Sequence, residues 1–145
     1  MNNNGGRSRG ARPLLPGDTM AYFYDSQNIF ARILRGEIPC SKVLETGHSL
    51  AVNDIQPQAP HHVLVIPKGD YVNADHFALS ATDAEIADFT RCIGQICRSL
   101  GLQPGEGGDG YRLITNAGAD GGQEVPHYHV HILGGRMLGR MLQKG

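Results

Sequence analysis

The sequence predicts an α+β domain on an antiparallel sheet of about five strands, with a short N-terminal helix and a long central one. Three observations carry this. Segments alternate in the order helix, strands, long helix, strands. One stretch near the middle has a strong 3.6-residue apolar stripe with both ends marked. The last strand-forming run contains histidine at every second position, His127, His129 and His131.

A first helix is predicted from about Ser26 to Arg35. Asp25 or Ser26 can cap it, Ile29, Phe30, Ile33 and Leu34 form its stripe, and Gly36 suits a left-handed stop. Lys42 to Glu45 and Leu50 to Asp54 read as a strand pair turning at Thr46-Gly47-His48, and His62 to Ile66 as an apolar strand ended by Pro67. The long helix spans about Asp83 to Leu100. Thr82 and Glu85 fit a capping box, Ile86, Phe89, Ile93, Ile96 and Leu100 recur at helical spacing, and Gly101 stops it. Tyr111 to Thr115 and His127 to Leu133 complete the strands, separated by the Gly-rich stretch Asn116 to Gln123.

Residues 1–20 are rich in Asn, Gly, Arg and Pro and read as a disordered N-terminal arm or an added extension; residues 21–136 read as the folded domain and 137–145 as a short tail. The formal charge of −1 argues against nucleic-acid binding through a basic face. No apolar run approaches the roughly 20 residues of a membrane span. Cys40, Cys92 and Cys97 are odd in number and lack CxxC spacing, which predicts reduced thiols in a cytoplasmic protein. Cys92 and Cys97 lie on or beside the long helix's stripe and read as small core residues.

The histidine row is the feature that points to chemistry. Three of the seven histidines fall within five residues, with Tyr128 and Val130 between them. On an extended strand all three would project from one side, roughly 7 Å apart. Such a row permits a zinc site, a set of structural histidines, or nucleophilic catalysis by the central imidazole with its neighbours binding an anion. The neighbourhood favours catalysis. Gly118, Gly121 and Gly122 let backbone N–H groups approach a phosphate, and Gln123 adds an amide donor.

His127-Tyr128-His129-Val130-His131-Ile132-Leu133 matches the pattern H-φ-H-φ-H-φ-φ, with φ apolar or aromatic. The chain thereby resembles the histidine triad (HIT) family, especially its nucleotide-binding branch. Further matching segments stand in the family's order: Asn28 to Ile33, Gly36 to Pro39, Asp54 to His62, Val65 to Lys68, Asn116 to Gln123 and Leu133 to Arg136. The resemblance implies that His129 attacks the α-phosphorus of a nucleotide. His131 and the backbone near Gly122 and Gln123 would hold the nonbridging oxygens, and His127 and His62 would orient the site. Asp54, with Asn116 nearby, would meet the ribose hydroxyls, while Ile29, Phe30, Ile33 and Val52 would form the slot for the base.

The resemblance also implies a purine nucleoside phosphoramidate hydrolase that releases AMP or GMP, acts as a homodimer and requires no cofactor. Alternatives are a dinucleoside polyphosphate hydrolase and a nucleotide-binding scaffold with little turnover; zinc is the alternative occupant of the histidines. Members of the transferase branch typically carry Gln where His131 stands, so hydrolysis is favoured. Glu124 departs from the Ser or Thr often found in relatives. Its carboxylate would face outward from bound phosphate or help protonate a leaving amine.

Overall fold

The computed structural model describes residues 22–143; the expectation of a disordered arm over residues 1–20 lies outside them. Helix α1 spans Ile29–Leu34. Strands β1 (Lys42–Glu45), β2 (Ser49–Asn53) and β3 (His61–Pro67) follow, then helices α2 (Ala74–Ser80) and α3 (Asp83–Ser99), a 3-10 turn at Pro104–Glu106, and strands β4 (Tyr111–Ile114) and β5 (Val130–Gly134). The five strands form one antiparallel sheet in the order β1-β2-β3-β5-β4. The predicted α+β class is what folds.

Local chemistry explains most boundaries. The Thr82 hydroxyl accepts from the Glu85 N–H at 3.1 Å, and the Glu85 carboxylate accepts from the Thr82 N–H at 2.9 Å, closing the expected box at the start of α3. Gly101, at φ +72°, ends that helix in a conformation costly for any residue with a Cβ. Helix α1 starts later than predicted. The Asp25 side chain accepts from the Gln27 N–H and its carbonyl from Asn28, so a turn forms first and Asn28 becomes the cap, accepting from the Ala31 N–H. Helix α2 went unpredicted because its seven residues bury a single side chain, Phe77, too little for a readable stripe.

Alternation along the strands divides the sheet into two faces. Ala51, Val63, Val65, Val130 and Ile132 meet Phe77 of α2 and Phe89, Cys92, Ile96 and Cys97 of α3 in the main core. Burial raises the Cys92 thiol to about 11 and the Cys97 thiol in the same direction, so both are protonated packing groups, as expected. On the opposite face Leu50, Val52, Leu64 and Ile66 pack against Phe30 of α1 in a smaller cluster. Helix α1 covers only part of this face, and the uncovered part holds the site. No helix among the described residues is long and apolar enough to cross a membrane.

Candidate active site

Register places the histidines. On β3, His62 and Leu64 share the α1 face; on β5, His131 and Leu133 do. Pairing sets His62 opposite Leu133 and Leu64 opposite His131, and β4 adds Ile114 on the other side of His131. The expectation that the whole row lies on one strand is corrected. Strand β5 begins at Val130, and His127 and His129 precede it. Pro126 has no N–H to give a ladder, and around it the His127 N–H turns back to the Val125 carbonyl at 2.9 Å. The Tyr128 N–H then goes to the Tyr71 carbonyl at 2.7 Å instead of a strand partner. The row bends, and the rings of His129 and His131 stand 5.2 Å apart.

Hydrogen bonds assign the protons. His127 is fully buried, with its Nε2 2.9 Å from the Pro67 carbonyl. A carbonyl only accepts, so that nitrogen carries the hydrogen. The Tyr24 hydroxyl then donates to the bare Nδ1 at 2.6 Å. The His127 carbonyl lies 2.6 Å from Nδ1 of His129, so Nδ1 of His129 is the protonated nitrogen and its Nε2 keeps a free lone pair. Burial lowers the pKa of His129 below the usual histidine value and that of His127 to about 4, so both rings are neutral at pH 7. Phe30 packs edge-on against His129 with centroids 4.9 Å apart.

A second chain runs through His62. The Gln58 N–H donates to His62 Nδ1 at 3.1 Å, so His62 carries its hydrogen on Nε2. That hydrogen faces His131 Nδ1 at 2.9 Å and an Asp54 carboxylate oxygen at 3.4 Å. With Nδ1 of His131 accepting, its Nε2 is an N–H donor. Burial takes His131 down to about 4, so it donates as a neutral ring. Asp54, His62 and His131 also present ligand atoms within 4.8 Å of one another, the donor set zinc would take. Zinc would need a lone pair on His62 Nε2, and the Gln58 amide holds the hydrogen there. The trio fits a proton-ordered chain better than a metal centre.

These groups line a cleft of about 380 Å³. Of the expected residues, Phe30, Asp54, His62, Asn116, Gly122, Glu124, His129 and His131 line it. Others stand elsewhere. His127 lies beneath the cleft, in contact with His129 through its carbonyl. Ile33 and Val52 pack in the smaller cluster and Ile29 is exposed; none of the three lines the cleft. Its apolar wall is Phe30 with Leu64, Ile114, Val125 and Leu133. Leu64 and Leu133 stand two residues from His62 and His131, a strand period that could have found them.

The Gly-rich loop is held by its own hydrogen bonds. The Gln123 amide nitrogen donates to the carbonyls of Val72 and Val125, and its side-chain oxygen accepts from the Gly118 N–H. The N–H of Gly122 bonds to Ala119 and that of Gln123 to Gly118. These donors close the loop on itself and tie it to the segment before α2. The N–H groups of Gly118, Gly122 and Gln123 and the Gln123 amide are thus engaged within the protein. Two carboxylates, Asp54 and Glu124, line the cleft, and no Lys or Arg does so among the described residues.

The HIT domain family model matches residues 35–138. An uncharacterised 13.2 kDa HIT-like protein of Azospirillum brasilense is 56% identical over 126 residues, 87% of this chain and all of that protein. A purine nucleoside phosphoramidase of Escherichia coli K12 is 39% identical over 119 residues, 80% of this chain and 93% of that enzyme. The crystal structure of a HIT family hydrolase from Legionella pneumophila, 36% identical, superposes with a TM-score of 0.67, covering 78% of this chain and 96% of that one.

Proposed function

The chain belongs to the HIT domain family, and on that premise we propose that it hydrolyses the P–N bond of purine nucleoside phosphoramidates. The observation that carries the reading is the His127 carbonyl holding the proton of His129 on Nδ1, which leaves the Nε2 lone pair for a phosphorus in the cleft. His129 Nε2 attacks the α-phosphorus, the P–N bond breaks, and the departing amine takes a proton from solvent. The adduct imidazole keeps its Nδ1 hydrogen and becomes cationic, which makes it a good leaving group. The His127 carbonyl steadies that charge. Water then attacks phosphorus, the P–Nε2 bond breaks, the water gives one proton back to solvent, and a nucleoside monophosphate, AMP or GMP, leaves.

Supporting roles follow from position. The Nε2–H of neutral His131 donates to a nonbridging oxygen, and His62 holds it in that tautomer. Asp54 and Asn116 meet the ribose, and Phe30, Leu64 and Leu133 the base. No metal enters the proposed reaction. Two carboxylates without a Lys or Arg favour a phosphate of low charge, hence a phosphoramidate over a dinucleoside polyphosphate. The proposal includes a cytoplasmic homodimer: β4 is an edge strand that exposes Tyr111, Leu113 and Ile114, a surface that suits pairing with a second sheet.

Mass spectrometry of the protein quenched during turnover of an adenosine phosphoramidate tests the reading. The expected result is a nucleotidyl adduct on His129. Turnover without any histidine adduct, or faster cleavage of a diadenosine polyphosphate, overturns it.

A further inference from the structure

Tyr24 lies upstream of the residues matched by the family and outside the histidine pattern, yet its hydroxyl reaches the first histidine of the row. The segment that carries it is fastened on both sides. The Tyr22 hydroxyl donates to Asp75 at 2.6 Å and its ring stacks on His76; beyond Tyr24, the Ser26 carbonyl accepts from Arg35 at 2.7 Å. Between these anchors the Tyr24 ring stands edge-on to His127, with centroids 5.6 Å apart.

We infer that Tyr24 is a positioning residue for the nucleophile: its O–H···Nδ1 bond locks His127 in the tautomer and orientation that set its carbonyl on His129. The inference rests on the catalytic reading of His129. The geometry is a relay with a fixed sense. The Pro67 carbonyl accepts from His127 Nε2, so His127 Nδ1 needs an outside donor. His127 is 0% exposed, which leaves no solvent route to that nitrogen, and Tyr24 supplies the donor. The same residue's carbonyl receives the Nδ1 hydrogen of His129. A phenol from 103 residues away in sequence thus closes the cage around the peptide that orients the nucleophile.

Without the hydroxyl, the buried Nδ1 lone pair has lost its partner. His127 relieves this only by turning its ring, because a hydrogen moved to Nδ1 would find no acceptor there and would leave Nε2 facing the Pro67 carbonyl lone pair to lone pair; turning the ring breaks the bond to Pro67 and frees the tautomer that bond fixed. The carbonyl on which His129 depends then has no fixed place. Binding is untouched, because neither Tyr24 nor His127 lines the cleft. The loss falls on the chemical step.

The test is Tyr24→Phe, which keeps the ring packing and removes the donor. In protein labelled with ¹⁵N-histidine, imidazole spectra of the free wild type show His127 protonated on Nε2 and His129 on Nδ1. In the variant, His127 becomes a tautomer mixture and the Nδ1–H fraction of His129 falls. With an adenosine phosphoramidate, kcat falls about tenfold while KM stays within about twofold. Unchanged tautomers in the variant overturn the inference; so does an unchanged kcat, or a loss that appears only in KM or Tm. The spectra need no substrate. A wild type that fails to turn over would therefore sink the proposed function while leaving the positioning role to be judged on the tautomers.

Discussion

The two faces of the sheet use the same strands for opposite purposes. Under α3, Val63, Val65, Val130 and Ile132 interlock with Phe89, Cys92 and Ile96, and the packing is dry and apolar. On the α1 face the residues between them, His62, Leu64, His129 and His131, share an open cleft with two carboxylates. The α3 face gains its stability from buried area. The α1 face spends buried surface on neutral imidazoles whose protons are dictated by carbonyls and amides. One residue of register separates them, so alternation along each strand lets a polar site and a dry core share the same backbone.

The largest expected effects separate the faces. His129→Ala removes the nucleophile and should lower kcat by at least about 10⁴-fold while leaving AMP affinity nearly unchanged. Phe89→Ala should do the reverse. It leaves a cavity beside Phe77 and Tyr128, costs about 3–5 kcal/mol in denaturant unfolding, and leaves kcat per folded molecule intact. If Phe89→Ala instead lowered kcat with stability unchanged, the division between faces would be wrong.

A smaller effect comes from pH and falls most heavily on the α1 face, with His76 of α2 lowered by burial in the same direction. Burial holds His127 and His131 at about 4, below the 6.5 of an unfolded histidine. Between those values the unfolded chain binds more protons than the folded one, so stability falls as pH falls through that window. Each group contributes a slope of up to about 1.4 kcal/mol per pH unit, less for His131 because the cleft is open to solvent. Thermal melts from pH 7 downward should therefore show a declining Tm. His129, also lowered, keeps turnover going below the usual histidine range before its acid limb appears. Phe89→Ala should shift the whole melting curve down without altering its pH dependence. A wild-type Tm that is flat across this window would show that the buried rings are not held neutral.

The sequence revealed the dry face better than the wet one, and the residues explain why. Thr82, Glu85 and Gly101 act on neighbours a few positions away, and the stripe of α3 repeats with the helix itself, so local reading sufficed. The H-φ-H-φ-H pattern marks side chains at and beneath the cleft, but their hydrogen bonds depend on partners the pattern does not name. Gln123 serves the carbonyl of Val72, His127 that of Pro67, and His62 the amide of Gln58. No periodicity encodes which carbonyl a side chain will meet across the fold. An apolar residue that packs and one that binds look alike in a sequence until the cleft is located, as Ile33 and Val52 show.

The smallest effect concerns Glu124 on the exposed rim of the cleft. An exposed carboxylate interacts with a phosphate about 4 Å away by only about 1 kcal/mol in water, repulsively, and the repulsion grows with the ligand's charge. Glu124→Gln should therefore lower the KM of a singly charged phosphoramidate by up to about fivefold and the inhibition constant of a diadenosine polyphosphate by more. The difference should vanish near 1 M salt, where the screening length is about 3 Å. Phosphoramidates with a series of leaving-amine pKa values supply the contrary outcome. Rates that fall more steeply in Glu124→Gln as the amine becomes more basic would make Glu124 the proton donor to the departing nitrogen. Rates parallel to wild type would leave it a discriminator of charge, and the wet face would then select its ligands by what its rim repels as well as by what its histidines hold.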